Sequence, residues 1–481
     1  MMRRAVILWG WAALAWCQGV PAPRVEAAAA SWLQLEEVLA SVDRHYPPLL
    51  VAMQDKVIAD ADITVAESRF DVALKGGYEG DYLGYYRNDY YKAGVEQATQ
   101  FQGMSYFTGY TLGRGSYPTY EGKRQTDGGG EYKAGVRMPA LRDRAIDSRR
   151  AELQKATLGR RIADLGVDQQ RLLIVQLATR RYYDWLAAGR RHQAALAVLK
   201  VAELRDQQLK EATRLGQIPQ IDVTDNLRAI LTRRAQVIEL ERALQLAAIE
   251  LSLFLRDDKG DPRLPPAAML PPAFPALRAW DEQRMMEDIE LAVKRRPEMQ
   301  RFAMQRGQVE IDRKLARNQL MPNMDVALSY TRELGDRVVR RGPDELELAL
   351  IFDMPLQRRS AKGRDQAALA RITQFDQRER FARDQVVAEV RDAYSALVAA
   401  WRRAQVLREE VEVARQLETA ERVRFELGEG TLFLVNLREQ AAFDTEIREV
   451  SALSDYFRSL ALYEFSIGEA LTRRMRVNAQ P

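Results

Sequence analysis

The chain has 481 residues, 47% of them hydrophobic and 29% charged, with 72 Lys and Arg against 68 Asp and Glu and a net charge of +4. Both signs are interspersed as on solvated helix faces, which excludes the concentrated basic patch of a nucleic-acid binder. Two histidines, His45 and His192, and one cysteine leave little scope for metal or thiol chemistry.

The first residues read as an export leader. Arg3 and Arg4 precede the apolar stretch Ala5–Trp16, and Val25-Glu26-Ala27 has the V-x-A form of a cleavage site, so 1–27 is assigned as a signal peptide. Its apolar stretch is too short to span a bilayer. Cys17 offers the alternative of a lipidated N-terminus, although the bulky Trp16 stands where such a site needs a small residue. Cleavage at Ala27 removes the cysteine, so the mature chain carries no disulfide and depends on packing.

The remainder is a duplication. Phe70-Asp71-Val72-Ala73-Leu74 matches Met324-Asp325-Val326-Ala327-Leu328, and Arg44-His45-Tyr46-Pro47 matches Arg295-Arg296-Pro297. Gly135–Pro139 matches Ile351–Pro355, and Leu215-Gly216-Gln217-Ile218-Pro219 matches Leu427-Gly428-Glu429-Gly430-Thr431. The first repeat, 28–256, is expected to hold a helix, a strand region over 71–139, a long helix over 140–214 and a return helix over 220–256. A Pro-rich connector spans 257–280. The second repeat, 281–472, holds a helix, strands over 322–355, a long helix over 356–427 and a return helix over 432–471, before a tail at 473–481.

The helices carry heptad spacing. Val386, Val390, Ala393, Leu397, Ala400, Ala404, Leu407, Val411 and Ala414 alternate in steps of four and three, and Val223, Ile230, Val237, Leu244 and Leu251 lie at strict sevens. Each long helix matches the summed length of two shorter ones, which describes a tall, thin helical wall. Taken alone, this pattern is equally that of a cytosolic coiled coil.

Between the helices the period changes to two. Leu346, Leu348, Leu350 and Phe352 alternate with Glu345, Glu347, Ala349 and Ile351, as in a strand with lipid on one side and water on the other. Val326, Leu328 and Tyr330 supply a second strand, with a turn near Gly335–Gly342. Val72, Leu74, Gly76 and Tyr78 begin the first-half equivalent. That first-half segment is longer and concentrates 14 of the 28 glycines and 11 of the 18 tyrosines between Gly76 and Gly135. Tyrosine suits a bilayer interface, where the ring is buried and the hydroxyl wet. A soluble β-hairpin domain with a tyrosine-rich surface is the competing reading. About four long strands per chain are too few to close a membrane barrel, so closure requires several chains.

In this order of elements, and most of all in Met138-Pro139, Met354-Pro355 and the turns at Leu215-Gly216 and Leu427-Gly428, the chain resembles the TolC-like outer-membrane efflux channels over essentially its whole mature length. The resemblance implies a mainly α fold with a β-barrel part. It further implies a homotrimer with a 12-stranded barrel in the outer-membrane lipid and an α-helical barrel in the periplasm. Such channels are exit ducts of tripartite pumps or type I secretion systems, docked through a periplasmic adaptor to an inner-membrane pump that supplies the energy. The adaptor-docking tip would then comprise Leu215, Gly216, Pro219, Leu427, Gly428 and Thr431. The family's acidic ring after the second turn is missing, because Leu432-Phe433-Leu434-Val435-Asn436-Leu437 lacks Asp. Asp222, Asp225, Glu429 and Leu434 are the candidates for a constriction instead. The Tyr/Gly-rich segment exceeds a plain strand pair and suggests an added hairpin or surface loop.

Other chemistry fails on inspection. Asp257-Asp258-Lys259-Gly260-Asp261 lacks the later ligands of a calcium loop, and Gly128-Gly129-Gly130 is not followed by the Lys-Ser/Thr of a phosphate loop. No nucleophile with a base is evident, so neither an enzyme nor a cofactor is expected, and no nucleic-acid partner. The rival functions are an exported periplasmic coiled-coil adaptor and a structural scaffold anchored by lipid at Cys17.

Overall fold

The computed structural model describes residues 32–336 and 344–469. The leader with Cys17, the far part of the Gly335–Gly342 turn and the 473–481 tail lie outside these residues. In chain order the elements are α1 (Leu35–His45), α2 (Pro47–Glu67), β1 (Val72–Asp81), β2 (Asn88–Ala98), β3 (Ser105–Gly115), β4 (Glu131–Pro139), α3 (Ser148–Arg214) and α4 (Gln220–Ser252). The second half has α5 (Glu282–Arg295), α6 (Pro297–Asn318), β5 (Asn323–Glu333), β6 (Asp344–Asp353), α7 (Arg359–Glu426) and α8 (Leu432–Ser466).

Local chemistry sets the boundaries. The long helix starts at Ser148 and not at Ala140, because Asp147 is the residue that caps it: its carboxylate accepts from the Arg150 backbone N–H at 3.0 Å and from Arg150 Nε at 2.8 Å. Each helix expected to lead a repeat is in fact two helices. Proline has no N–H and pushes the residue before it out of helical geometry, so Tyr46 (ψ 113°) separates α1 from α2 and Arg296 (ψ 128°) separates α5 from α6.

α3 has 67 residues and α7 has 68, about 100 Å each at 1.5 Å per residue. Towards the sheet α3 packs between α2 and α6, with α7 beyond α6; towards the far end it packs between α4 and α8, with α7 beyond α8. The wall is therefore four helices wide at both levels, with α2 and α4 on one edge and α7 on the other. The heptad stripes are its seams: Val386, Val390, Ala393, Leu397, Ala404, Leu407 and Val411 of α7 are buried, as are Val223, Ile230 and Leu251 of α4.

The main core sits near mid-height, where the helix pairs meet end to end and the connector crosses. Trp185 and Leu186 of α3, Val390 and Leu397 of α7, and Tyr456 and Tyr463 of α8 converge there with Leu270 of the connector. Tyr183 stacks on Phe457 with ring centroids 4.4 Å apart, and Phe274 of the connector lies 5.8 Å from Phe457. Asp257 closes a tight turn instead of a metal loop: its Oδ1 accepts from the N–H groups of Lys259 and Asp261.

All six strands form one antiparallel sheet in the order β1-β2-β3-β4-β5-β6. Four of them are the strand pairs expected of the two repeats, and the other two are the added hairpin that the Tyr/Gly-rich segment suggested. The Tyr/Gly-rich segment is a complete hairpin, β2–β3, hydrogen-bonded between β1 and β4. Truncation of Trp185, fully buried at mid-height, is expected to cost about 3–5 kcal/mol. Hydrogen exchange in α3 and α8 should rise around mid-height, with the sheet unaffected.

Candidate functional site

Antiparallel register partners share a face, so the pairing assigns every strand residue to one side of the sheet. Leu348 pairs with Leu328, Leu328 with Val136, Val136 with Tyr106, and the row continues through Gln97 to Val72. The adjacent row on that face is Leu346, Tyr330, Ala134, Thr108, Val95 and Leu74. The opposite face holds Lys75 and Glu79 of β1, Lys92 and Glu96 of β2, Lys133 and Arg137 of β4, and Glu345 and Glu347 of β6. Its charges pair along the sheet: Lys133 Nζ lies 3.0 Å from Glu347 Oε2, Lys92 Nζ lies 2.9 Å from Glu79 Oε1, and Lys75 pairs with Glu96. One face is thus mainly apolar, and the other carries charge on every strand but β3, which contributes Ser105, Phe107, Gly109, Thr111 and Gly113 there. The apolar face has no cover in the single chain: Leu346 and Leu348 are 74% and 71% exposed.

Tyrosines edge the apolar face at its loop end. Tyr78, Tyr91, Tyr110, Tyr132 and Tyr330 all lie on it; the hydroxyl of Tyr132 accepts from Thr108 Oγ1 of β3 at 2.7 Å, while those of Tyr78, Tyr110 and Tyr330 reach polar groups at the strand ends. Tyr78 donates to Asp89 Oδ1 at 2.6 Å, Tyr330 to Asp344 Oδ1 at 2.6 Å and Tyr110 to the Gly129 carbonyl at 2.6 Å. A ring in hydrocarbon with its hydroxyl at water is the arrangement of an interfacial belt. Gly128–Gly130 belongs to this end: the Gly129 N–H donates to the Leu334 carbonyl at 2.7 Å, joining the β3–β4 loop to the end of β5.

At the far end of the wall the two repeats turn alike. Gly216 (φ +71°) and Gly428 (φ +78°) take the left-handed conformation. Gln217 N–H donates to the Ala212 carbonyl and Gly216 N–H to Thr213; Glu429 N–H donates to Arg424 and Gly428 N–H to Phe425. Both are Schellman turns, which satisfy the last carbonyls of α3 and α7. Leu215 and Leu427 stand 56% and 70% exposed, while Leu209, Val223 and Leu432 pack beneath them. Pro219 caps the start of α4 and Thr431 that of α8, where its hydroxyl accepts from the Leu434 N–H. Asp222 and Asp225 flank one shallow depression with Ile221 and Phe433. The Asp225 carboxylate is engaged, accepting from Asn436 Nδ2 at 3.2 Å and pairing with Arg228 at 3.2 Å. Glu429 is exposed and Leu434 half-buried.

Sequence reading missed a charged cluster just above this tip. Glu439 of α8 is buried and meets Arg205 of α3, Arg233 of α4 at 2.8 Å and Arg422 of α7 at 3.6 Å, so one carboxylate joins all four helices. Asn436 extends the cluster, accepting from Arg205 Nη1 at 3.0 Å. Burial alone would raise the Glu439 pKa, but hydrogen bonds and charge from Arg205 and Arg233 hold it below the usual glutamate value. The one sequence-level signal was an acid sitting on the heptad seam of α8, four residues after Val435.

These arrangements yield two predictions. Leu348→Arg should block membrane insertion at a cost of about 2–4 kcal/mol if the residue lies near mid-bilayer, whereas Glu347→Arg should insert normally; heat-modifiable mobility of membrane fractions reads the difference. Glu439→Gln strands buried guanidinium groups and should destabilise the tip by about 3–5 kcal/mol at neutral pH. Because the folded pKa is depressed, the carboxylate's contribution is complete above the ordinary glutamate value and is lost as pH falls through the lower folded value. Hydrogen exchange at the ends of α3 and α7 should therefore separate wild type from Glu439→Gln at pH 7 and converge in acid.

The sequence matches no protein-family model and no curated protein. Solved structures do match. The outer membrane protein VceC from Vibrio cholerae superposes with a TM-score of 0.63 at 15% identity, over 90% of this chain and 96% of that one. The open state of the Neisseria gonorrhoeae MtrE outer membrane channel gives 0.63 at 15%, over 90% and 88%. The Campylobacter jejuni CmeC outer membrane channel gives 0.61 at 11%, over 93% and 89%. At these identities the likeness is one of fold, and it bears out the resemblance drawn from the sequence: the chain has the fold of the TolC-like outer-membrane channels.

Proposed function

We propose that this chain is the outer-membrane exit channel of a tripartite efflux or type I secretion system, a passive duct rather than an enzyme, working as a homotrimer. The sheet lies in the outer membrane and the helical wall stands in the periplasm. The observation that carries this reading is the sheet with one apolar face, belted by tyrosine, and one charged face. A soluble adaptor has no use for an uncovered apolar sheet, and a scaffold anchored only by an N-terminal lipid would not need one.

The helical wall supports the trimer. On α2, Val51, Ile58 and Val65 recur every seven residues and are about 60% exposed or more. On α7, Val406 and Val413 on the other edge also lie seven apart, 63% and 55% exposed. Heptad apolar stripes left bare on both outer edges suit a ring in which α7 of one copy packs on α2 and α4 of the next. Three copies, the number the fold's resemblance implies, would give twelve helices around one lumen.

The periplasmic tip, Leu215–Pro219 with Leu427–Thr431, is the proposed contact for the adaptor, through which the inner-membrane pump acts. It is exposed, apolar and held in a fixed shape by the two Schellman turns. Asp222, Glu429 and Leu434 are proposed to shape the constriction, with Asp225 holding α4 to α8.

Native mass spectrometry of detergent-extracted protein should give three chains, and a soluble periplasmic monomer would refute the channel. Gly216→Pro and Gly428→Pro, which cannot adopt the required positive φ, should leave the trimer in the outer membrane while abolishing export and adaptor cross-linking. Normal export by both variants would remove the tip as the docking site.

A further inference from the structure

We propose that all six strands of each chain stand in the membrane wall, so that the closed barrel has 18 strands and a mouth about 1.5 times as wide as a 12-stranded one, since barrel diameter grows roughly in proportion to strand number. This rests on the trimer proposed above. It departs from the 12 strands that the family resemblance implies, and it assigns the β2–β3 hairpin to the wall rather than to a surface loop.

Three observations carry it. First, β2 and β3 are hydrogen-bonded along their lengths into the middle of the sheet, from Val72–Gln97 at one seam to Ser105–Arg137 at the other. A decorative hairpin folded outside the wall would have β1 paired with β4 instead. Second, the hairpin carries the same division of faces as the strands around it. Tyr91, Ala93 and Val95 of β2 with Tyr106 and Leu112 of β3 continue the apolar face, while Lys92 and Glu96 continue the charged one and pair with Glu79 and Lys75 of β1. β3 turns Ser105, Phe107, Gly109, Thr111 and Gly113 to that second side, so the hairpin's charge lies on β2 alone, and lipid on one side with a water-filled lumen on the other accounts for the division. Third, the hairpin strands have 11 residues each, against 10 for β1 and 10 for β6, so they span the same thickness.

The ends of the sheet fit closure by copies of the same chain. β1 and β6 are its two edges, equal in length, and with an even number of strands they run antiparallel to each other. β6 of one copy can therefore pair with β1 of the next without reversing the alternation, which satisfies backbone groups that hydrocarbon would otherwise leave without partners. A wider mouth suits bulky cargo, and the charged lining, which also takes in Asp81, Glu131, Asp325, Glu333 and Asp353, contains more acids than bases, which favours neutral or cationic cargo over polyanions.

The test uses full-length protein in outer-membrane vesicles. Val95→Cys should resist a membrane-impermeant maleimide while Lys92→Cys reacts, the same contrast expected between Leu348→Cys and Glu347→Cys in β6. Cysteines scanned over Leu74–Tyr78 of β1 against Leu348→Cys of β6 should cross-link neighbouring chains. Polymer-linked maleimides reaching Glu347→Cys from outside should show a larger size cut-off in the intact protein than in a variant lacking residues 88–115. Should that variant not assemble, the Val95 and Lys92 contrast decides alone. Three chains by native mass with Val95→Cys and Lys92→Cys labelled equally would put the hairpin outside the wall and overturn the 18-strand barrel while leaving the channel intact. A chain count other than three would overturn the trimer and the strand number with it.

Discussion

The constraint on which this architecture depends is the unpaired edge of its sheet. A strand in hydrocarbon has no water to satisfy its N–H and C=O groups, so a membrane sheet must close. Here β1 and β6 end a six-stranded sheet, each with one side unpaired within the described residues of the chain. In the proposed channel the missing pairs come from neighbouring copies, and the helical wall makes the same demand through the bare heptad stripes of α2 and α7. Sheet and wall then close together or not at all. The proline breaks before Pro47 and Pro297 fall where the wall changes from the pairs α2 and α6 to the pairs α4 and α8, so that four helices in cross-section are maintained throughout its height.

The distribution of polar groups follows the same logic at each level. In the sheet, ion pairs such as Lys133–Glu347 lie on one face and tyrosine hydroxyls reach the polar rim. At mid-height the packing is aromatic, with Tyr183 of α3 stacked on Phe457 of α8 in the core that also holds Trp185 and Tyr456. Near the tip the interior becomes charged again, and Glu439 gathers arginines from three other helices. A buried carboxylate with several partners is specific rather than strongly stabilising. Such a knot sets the register of four helices just above the turns, where the proposed docking surface needs a defined shape.

Much of the molecule was legible in the sequence, because the two periods that matter, 3.5 and 2, are set by backbone geometry alone. The stripe from Val386 to Val411 called for a partner helix, and the alternation Leu346–Phe352 described a strand with two unlike faces. Gly216 and Gly428 marked the turns because a left-handed residue must end each helix there. The helix starts were less legible: α3 and α7 begin several residues after Pro139 and Pro355, at Asp147, whose carboxylate caps the helix, and at Arg358, whose carbonyl alone accepts from the first turn.

Tertiary structure alone decided three things. The strand count was hidden because the hairpin is built from glycine and tyrosine, which carry no clear alternation; its faces emerge only from register with β1 and β4. Membership of Glu439 in a four-helix cluster could not be read, since its partners lie more than 200 positions away in α3 and α4. The hydrogen bond to Asp225 from Asn436, which reaches it from the other repeat, was likewise invisible in the sequence. Local periodicity is dictated by the chain itself, whereas pairings between distant elements exist only once the repeats have packed against one another.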